Sequence, residues 1–127
     1  MDLLGLDHVQ LAMPADGEEE ARAFYGETLV LRFVEESEFS IVFLSGETML
    51  RVQKVAEVTV APDTALGWEV ESIEDRIAEL AAKGVAFEHF DGLTHDDTGY
   101  WLSPDGTKVA WFRDPDGNLL SLTQFAG

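Results

Sequence analysis

From Asp7 the chain alternates. Val9, Leu11 and Met13 fall on one face of an extended segment and His8, Gln10 and Ala12 on the other, the period-two pattern of a strand with one apolar and one polar side. Pro14-Ala15-Asp16-Gly17 breaks the run, and Glu18-Glu19-Glu20 places acids where a helix N-terminus favours them. Ala21, Phe24, Tyr25 and Leu29 then recur at helical spacing and predict a helix to about residue 29. Segments 31–35, 39–45 and 48–55 read as three strands, the last two joined by a turn at Ser45-Gly46-Glu47.

After Pro62 the plan restarts. Residues 66–70 form a strand, and Ser72 caps a helix whose buried stripe is Ile73, Ile77, Leu80 and Ala81 and which Gly84 ends. Residues 85–90 read as a strand, 91–99 as a polar loop and Tyr100-Trp101-Leu102 as a short extra strand. A hairpin follows: β-prone runs at 108–112 and 119–123 flank Asp114-Pro115-Asp116-Gly117-Asn118, where proline presets φ, glycine takes positive φ and Asp and Asn cap their own backbone. Both halves thus have the order strand–helix–strand–strand–strand, and Arg22 to Phe33 and Arg76 to Phe87 have the same separation across equivalent elements. Residue identity between halves is otherwise poor, so the repeat is one of architecture. The fold expected is α+β, two βαβββ modules at about 1–60 and 64–127 within a single domain.

Composition narrows the function. The 127 residues suffice for one domain with a real core. Eight Lys+Arg against 25 Asp+Glu give a net charge of −17, a field that repels nucleic acid and anionic membranes and suits a soluble acidic surface or a cationic ligand. No cysteine is present, which excludes disulfides, thiolate metal sites and cysteine nucleophiles. No apolar run approaches membrane-spanning length, and Met1-Asp2-Leu3 is acidic where a signal peptide would be basic. The expectation is a cytoplasmic protein with neither nucleic-acid nor membrane partners.

The doubled module ending in Asp-Pro-Asp-Gly-Asn resembles the vicinal oxygen chelate superfamily, which includes glyoxalase I, extradiol dioxygenases, methylmalonyl-CoA epimerase and the bleomycin-resistance proteins. The most specific segments are Leu6-Asp7-His8-Val9, Ala23-Phe24-Tyr25, Gly67-Trp68-Glu69-Val70-Glu71-Ser72-Ile73 and Trp111-Phe112-Arg113 running into the turn. The resemblance implies curved mixed sheets around a ligand cleft. In the superfamily's metal enzymes, His, Glu or Gln from the first and last strand of each half bind one divalent ion. Carried over, those positions are His8, Arg51, Ala65 and Ser121. An imidazole is a good donor, a guanidinium repels a cation, alanine offers nothing and a neutral hydroxyl is weak. No metal and no other cofactor is therefore expected.

His8 and Glu69 remain candidates for acid–base chemistry, although a lone strand histidine such as His8 reads first as a hydrogen-bonded structural residue. Arg51 could hold a ligand carboxylate or close a salt bridge with Glu69. Gln10 shares the face of His8, and Ser121 lies three residues after the Asn of the turn. Trp111, Tyr100 and Trp101 border the turn, where aromatics stack on a planar ligand or pack at a dimer interface. His89, His95, Asp96 and Asp97 have metal-binding residue types but loop spacing, and read as a solvated loop. The set expected to contact a small organic ligand is His8, Gln10, Arg51, Glu69, Tyr100, Trp111 and Ser121, in a homodimer. A binding protein of the bleomycin-resistance type leads. The alternative is a lyase, isomerase or epimerase of the glyoxalase type with a non-standard metal site or metal-free acid–base chemistry.

Overall fold

The first alternating run becomes strand β1, His8–Pro14, with Leu11 and Met13 buried. The computed structural model describes residues 1–4, 6–90 and 99–126, which divide into two compact units, Met1–Val60 and Ala61–Gly127.

In the first unit, α1 (Glu18–Ala21) carries its three glutamates in the first turn and runs on as a π-helical segment, Arg22–Thr28. The helix expected to residue 29 is thus a wider coil than an α-helix. The Leu29 amide donates to the Phe24 carbonyl, and the Leu31 amide to that of Tyr25, both at 2.9 Å. The apolar spacing tolerates the change of pitch, since Ala21 and Tyr25 are buried and Phe24 and Leu29 half-buried. Val30 then turns the chain with φ +58°.

Strands β2 (Arg32–Glu36), β3 (Ser40–Ser45) and β4 (Thr48–Val55) complete a sheet in the order β1-β4-β3-β2, with β1 parallel to β4 and the other pairs antiparallel. Gly46, at φ +59°, makes the tight turn that brings Ser45 opposite Thr48. Phe43 packs on Tyr25 and Phe33 with ring centroids 5.8 and 6.1 Å apart. Met13, Ile41, Leu50 and Val52 are buried on the same side of the sheet, each contributing roughly 1.5–3 kcal/mol through removal from water.

The second unit repeats this path. It contains β5 (Leu66–Glu69), α2 (Ile73–Ala82), β6 (Phe87–Glu88), β7 (Trp101–Leu102), β8 (Lys108–Arg113) and β9 (Leu119–Gln124). The sheet order is β5-β9-β8-β6, with β5 parallel to β9 and β7 also on β8. With β7 set aside, first strand parallel to last, last antiparallel to third, third antiparallel to second: the two topologies are the same. Phe87 and Phe112, 5.6 Å apart, take the places of Phe33 and Phe43.

Ser72 Oγ accepts the Asp75 amide at 3.4 Å and so caps α2. Gly84, at φ +95°, ends it with two 3.0 Å bonds, from its own amide to the Ala81 carbonyl and from Val85 to Leu80, the paired closure of a Schellman motif. Two expectations shift here. Ala81 is exposed, the buried stripe being Ile73, Ile77 and Leu80 alone. The strand expected over 85–90 contracts to Phe87–Glu88, because the helix cap uses the Val85 amide.

The chain is α+β, with two mixed sheets and few helices. No helix among the described residues is long and apolar enough to cross a membrane.

Candidate functional site

Each sheet has one face toward its helix and one away from it, and the predicted site residues fall mostly on the second kind. The β8–β9 turn sets their register in the second unit. Asp114 is buried, and its Oδ1 accepts the amides of Asp116 and Asn118, each at 2.9 Å. Its Oδ2 accepts Asn118 Nδ2 at 2.9 Å, while Gly117 adopts φ +91°. Arg113 closes the outside, donating to the Gly117 carbonyl at 2.8 Å and to Glu88 at 3.0 Å. With the loop fixed, Trp111 stands opposite Ser121, and Ser121 beside Gly67 on β5.

Ser121 is buried, and a Cβ built at Gly67 would collide with its Oγ. A glycine here therefore leaves room for the hydroxyl. Glu69, two residues on, is exposed on the same face. Trp111 is half-buried, donates from Nε1 to Thr64 Oγ1 at 3.1 Å, and lies 6.2 Å from Trp101 and 5.3 Å from Phe90, the latter edge-on. Tyr100 does not join them. Its ring lies 5.0 Å from Lys108 Nζ, which is salt-bridged at 2.8 Å to Glu74 of α2, so Tyr100 belongs to the helix side. The Glu74 hydrogen bond, more than any other contact, holds Lys108 above its ordinary pKa. Trp101 takes the place beside Trp111 that Tyr100 was expected to share. Thr64 and Phe90 escaped the sequence reading of the site; Phe90 alone left a signal, being in phase with Glu88.

In the first unit the register sets Gln10 on β1 and Val42 on β3 either side of Arg51 on β4. His8, Gln10, Met49, Arg51 and Gln53 share the face away from the helix. Gln10 Nε2 donates to Gln53 Oε1, and Arg51 Nη2 points to Met49 Sδ at 3.9 Å. Arg51 forms no ion pair among the described residues. His8 is exposed, with Nδ1 2.8 Å from Asp7 Oδ1. That hydrogen bond is the main reason the Asp7 carboxyl sits below its ordinary pKa. Against a carboxylate Nδ1 is the donor, which leaves the Nε2 lone pair available.

The registers also test a metal site. His8 pairs with Met49 and Arg51 follows two residues later; the Ala65 amide bonds the Leu119 carbonyl and Ser121 follows two residues later. His8 and Ala65 therefore occupy equivalent places in their sheets, as do Arg51 and Ser121. The groups at those four positions are one imidazole, one guanidinium, one methyl and one hydroxyl. Among the described residues no three His, Cys, Asp or Glu side chains gather as a metal-binding group. His95, Asp96 and Asp97 lie outside the described residues.

Comparison with known proteins places this architecture. No curated protein matches the chain significantly. Solved structures do match. A glyoxalase family protein from Bacillus anthracis is 27% identical over 99% of this chain and 98% of its own, with a TM-score of 0.79. A superfamily member from Sphaerobacter thermophilus is 17% identical over 97% and 98%, at 0.75. Lactoylglutathione lyase from Agrobacterium tumefaciens is 17% identical over 97% and 95%, at 0.73, a likeness of fold. The family model for the glyoxalase, bleomycin resistance protein and dioxygenase superfamily matches residues 5–122. With the βαβββ repeat and that match over nearly its whole length, the chain belongs to the glyoxalase/bleomycin resistance protein/dioxygenase superfamily.

Proposed function

We propose that this protein binds a small organic molecule without a metal ion, against the helix-free face of a sheet. The observation that carries this reading is the donor set. At the equivalent positions of β4 and β9 stand Arg51 and Ser121, where the resemblance implies His, Glu or Gln in the superfamily's metal enzymes. What the faces offer instead is recognition chemistry: Gln10, Arg51 and His8 in the first unit, and Trp111, Ser121 and Glu69 in the second, with Trp101 replacing Tyr100 beside Trp111. Aromatic rings supply area for stacking and the polar groups supply orientation. The functional protein is a homodimer, as the superfamily resemblance implies.

The test is the melting temperature of chelator-treated protein with and without zinc, nickel or manganese. A metal bound to the native state stabilises it by mass action, so the expected result is no rise. A rise in the wild type that His8→Ala abolishes would overturn the reading and put a metal-dependent lyase, isomerase or epimerase in its place. One observation favours a second, metal-free catalytic reading: Asp7 orients the His8 ring so that Nε2 is left as a base.

A further inference from the structure

We infer that the first unit recognises a single carboxylate on its ligand, with Arg51 as the anchoring group and the Gln10–Gln53 amide pair as flanking donors. The inference rests on the binding reading above and names the ligand's chemical class. Its starting point is an oddity of charge. Acids outnumber bases 25 to 8, and the cations Arg22, Lys54, Arg76, Lys108 and Arg113 each lie on a carboxylate. Among the described residues Arg51 lies on none, although it is half-buried in the interior strand of its sheet; Arg32, also without an ion pair there, is exposed.

The surroundings of Arg51 explain why it forms no ion pair among the described residues. On its face, the register brings His8, Gln10 and Ala12 from β1, Met49 and Gln53 from β4, and Ser40, Val42 and Leu44 from β3. None is acidic. Across that row the next carboxylate is Glu35 on the edge strand β2, beyond Val42. Apart from Asp7, whose carboxylate lies against His8, a patch of one cation and neutral side chains thus sits on a molecule of net charge −17. Partly desolvating a charge without a partner is unfavourable, and a ligand oxyanion would relieve it.

The patch also selects among oxyanions. A guanidinium matches the planar carboxylate with two parallel N–H···O bonds. The side chain of Gln53, whose carbonyl already accepts from Gln10, keeps its own amide N–H groups for the ligand. One positive charge neutralises a carboxylate fully. A phosphate dianion would keep an uncompensated charge inside an acidic protein, so it is disfavoured.

The test is nuclear magnetic resonance titration of ¹⁵N-labelled protein with benzoate and, separately, with inorganic phosphate, following the Arg51 side-chain and Gln10 and Gln53 amide signals. Benzoate should shift these signals saturably. In Arg51→Met the apparent Kd should rise at least ten-fold, and in Arg51→Lys, which keeps the charge but loses the fork, it should rise less. Phosphate should give no saturable shift. The inference is overturned by the absence of a saturable benzoate shift, by phosphate binding as tightly as benzoate, or by equal benzoate binding in Arg51→Lys. The wild-type titration decides even where Arg51→Met folds poorly. Performed in chelator, it is independent of the metal response that tests the broader reading, so either can fail alone.

Discussion

Val30 sits where the backbone wants a glycine. Its φ of +58° is a genuine outlier for a β-branched residue, and its side chain, 66% exposed, recovers little through burial. The internal repeat supplies the control. Stepping from Arg22 to Arg76 carries Val30 onto Gly84, which ends α2 at φ +95°. An L-residue held in the left-handed region costs roughly 1–2 kcal/mol, whereas glycine's greater freedom in the unfolded chain costs about 0.5–1 kcal/mol. Val30→Gly should therefore stabilise the first unit by about 0.5–1 kcal/mol, several degrees in melting temperature for a unit of this size. Gly84→Val should destabilise the second by a similar amount. The assays separate naturally. Trp68, Trp101 and Trp111 all lie in the second unit, so tryptophan fluorescence follows Gly84→Val, while circular dichroism is needed for Val30→Gly. A lower midpoint for Val30→Gly, or a harmless Gly84→Val, would refute the account of strain.

Three further outcomes follow from contacts described above. Gly67→Ala should destabilise the second unit by about 1–3 kcal/mol through the collision with Ser121 Oγ, and Ser121→Ala in the same chain should recover much of that in urea titrations. Asp114→Ala strands two turn amides and the Asn118 side chain, so it should cost roughly 2–3 kcal/mol by thermal unfolding. Glu36 is held below its ordinary pKa, first by the hydrogen bond from Lys54. A depressed carboxylate contributes stability above its unfolded pKa and loses it as pH falls through the folded one. Glu36→Gln should therefore narrow the difference in melting temperature between pH 7 and pH 3, and an unchanged difference would count against the pair.

The strands were legible because alternation is a direct consequence of the pleat, and the Asp114–Asn118 hairpin because its residues form their own network. The first helix was legible as a helix and not as a π-coil. Ala21 and Tyr25 are buried under either pitch, so the apolar spacing does not distinguish i→i+4 from i→i+5 bonding. Val30 carries no turn signal of its own; the glycine stands on its counterpart in the repeat, Gly84. The placement of Tyr100 depended on which face of β7 meets β8, a matter of one residue that a two-residue strand leaves open to sequence reading. That Arg51 forms no ion pair among the described residues could not be read from the sequence, because it depends on where the carboxylates of the other strands go.

The parallel closure of each sheet has a consequence for synthesis. β4 and β9 are interior strands, yet each is the last strand of its unit to leave the ribosome. β1 waits for β4, and β5 waits for β9, with bare hydrogen-bonding edges in the meantime. The first sheet can close once Val55 has emerged, while the second needs the chain through Gln124. A nascent chain stalled between Arg113 and Leu119 would hold one finished sheet and one lacking its middle, with Leu66, Trp68, Ala110 and Phe112 missing their cover from Leu120 and Leu122. Such a species is the one most prone to aggregate during synthesis.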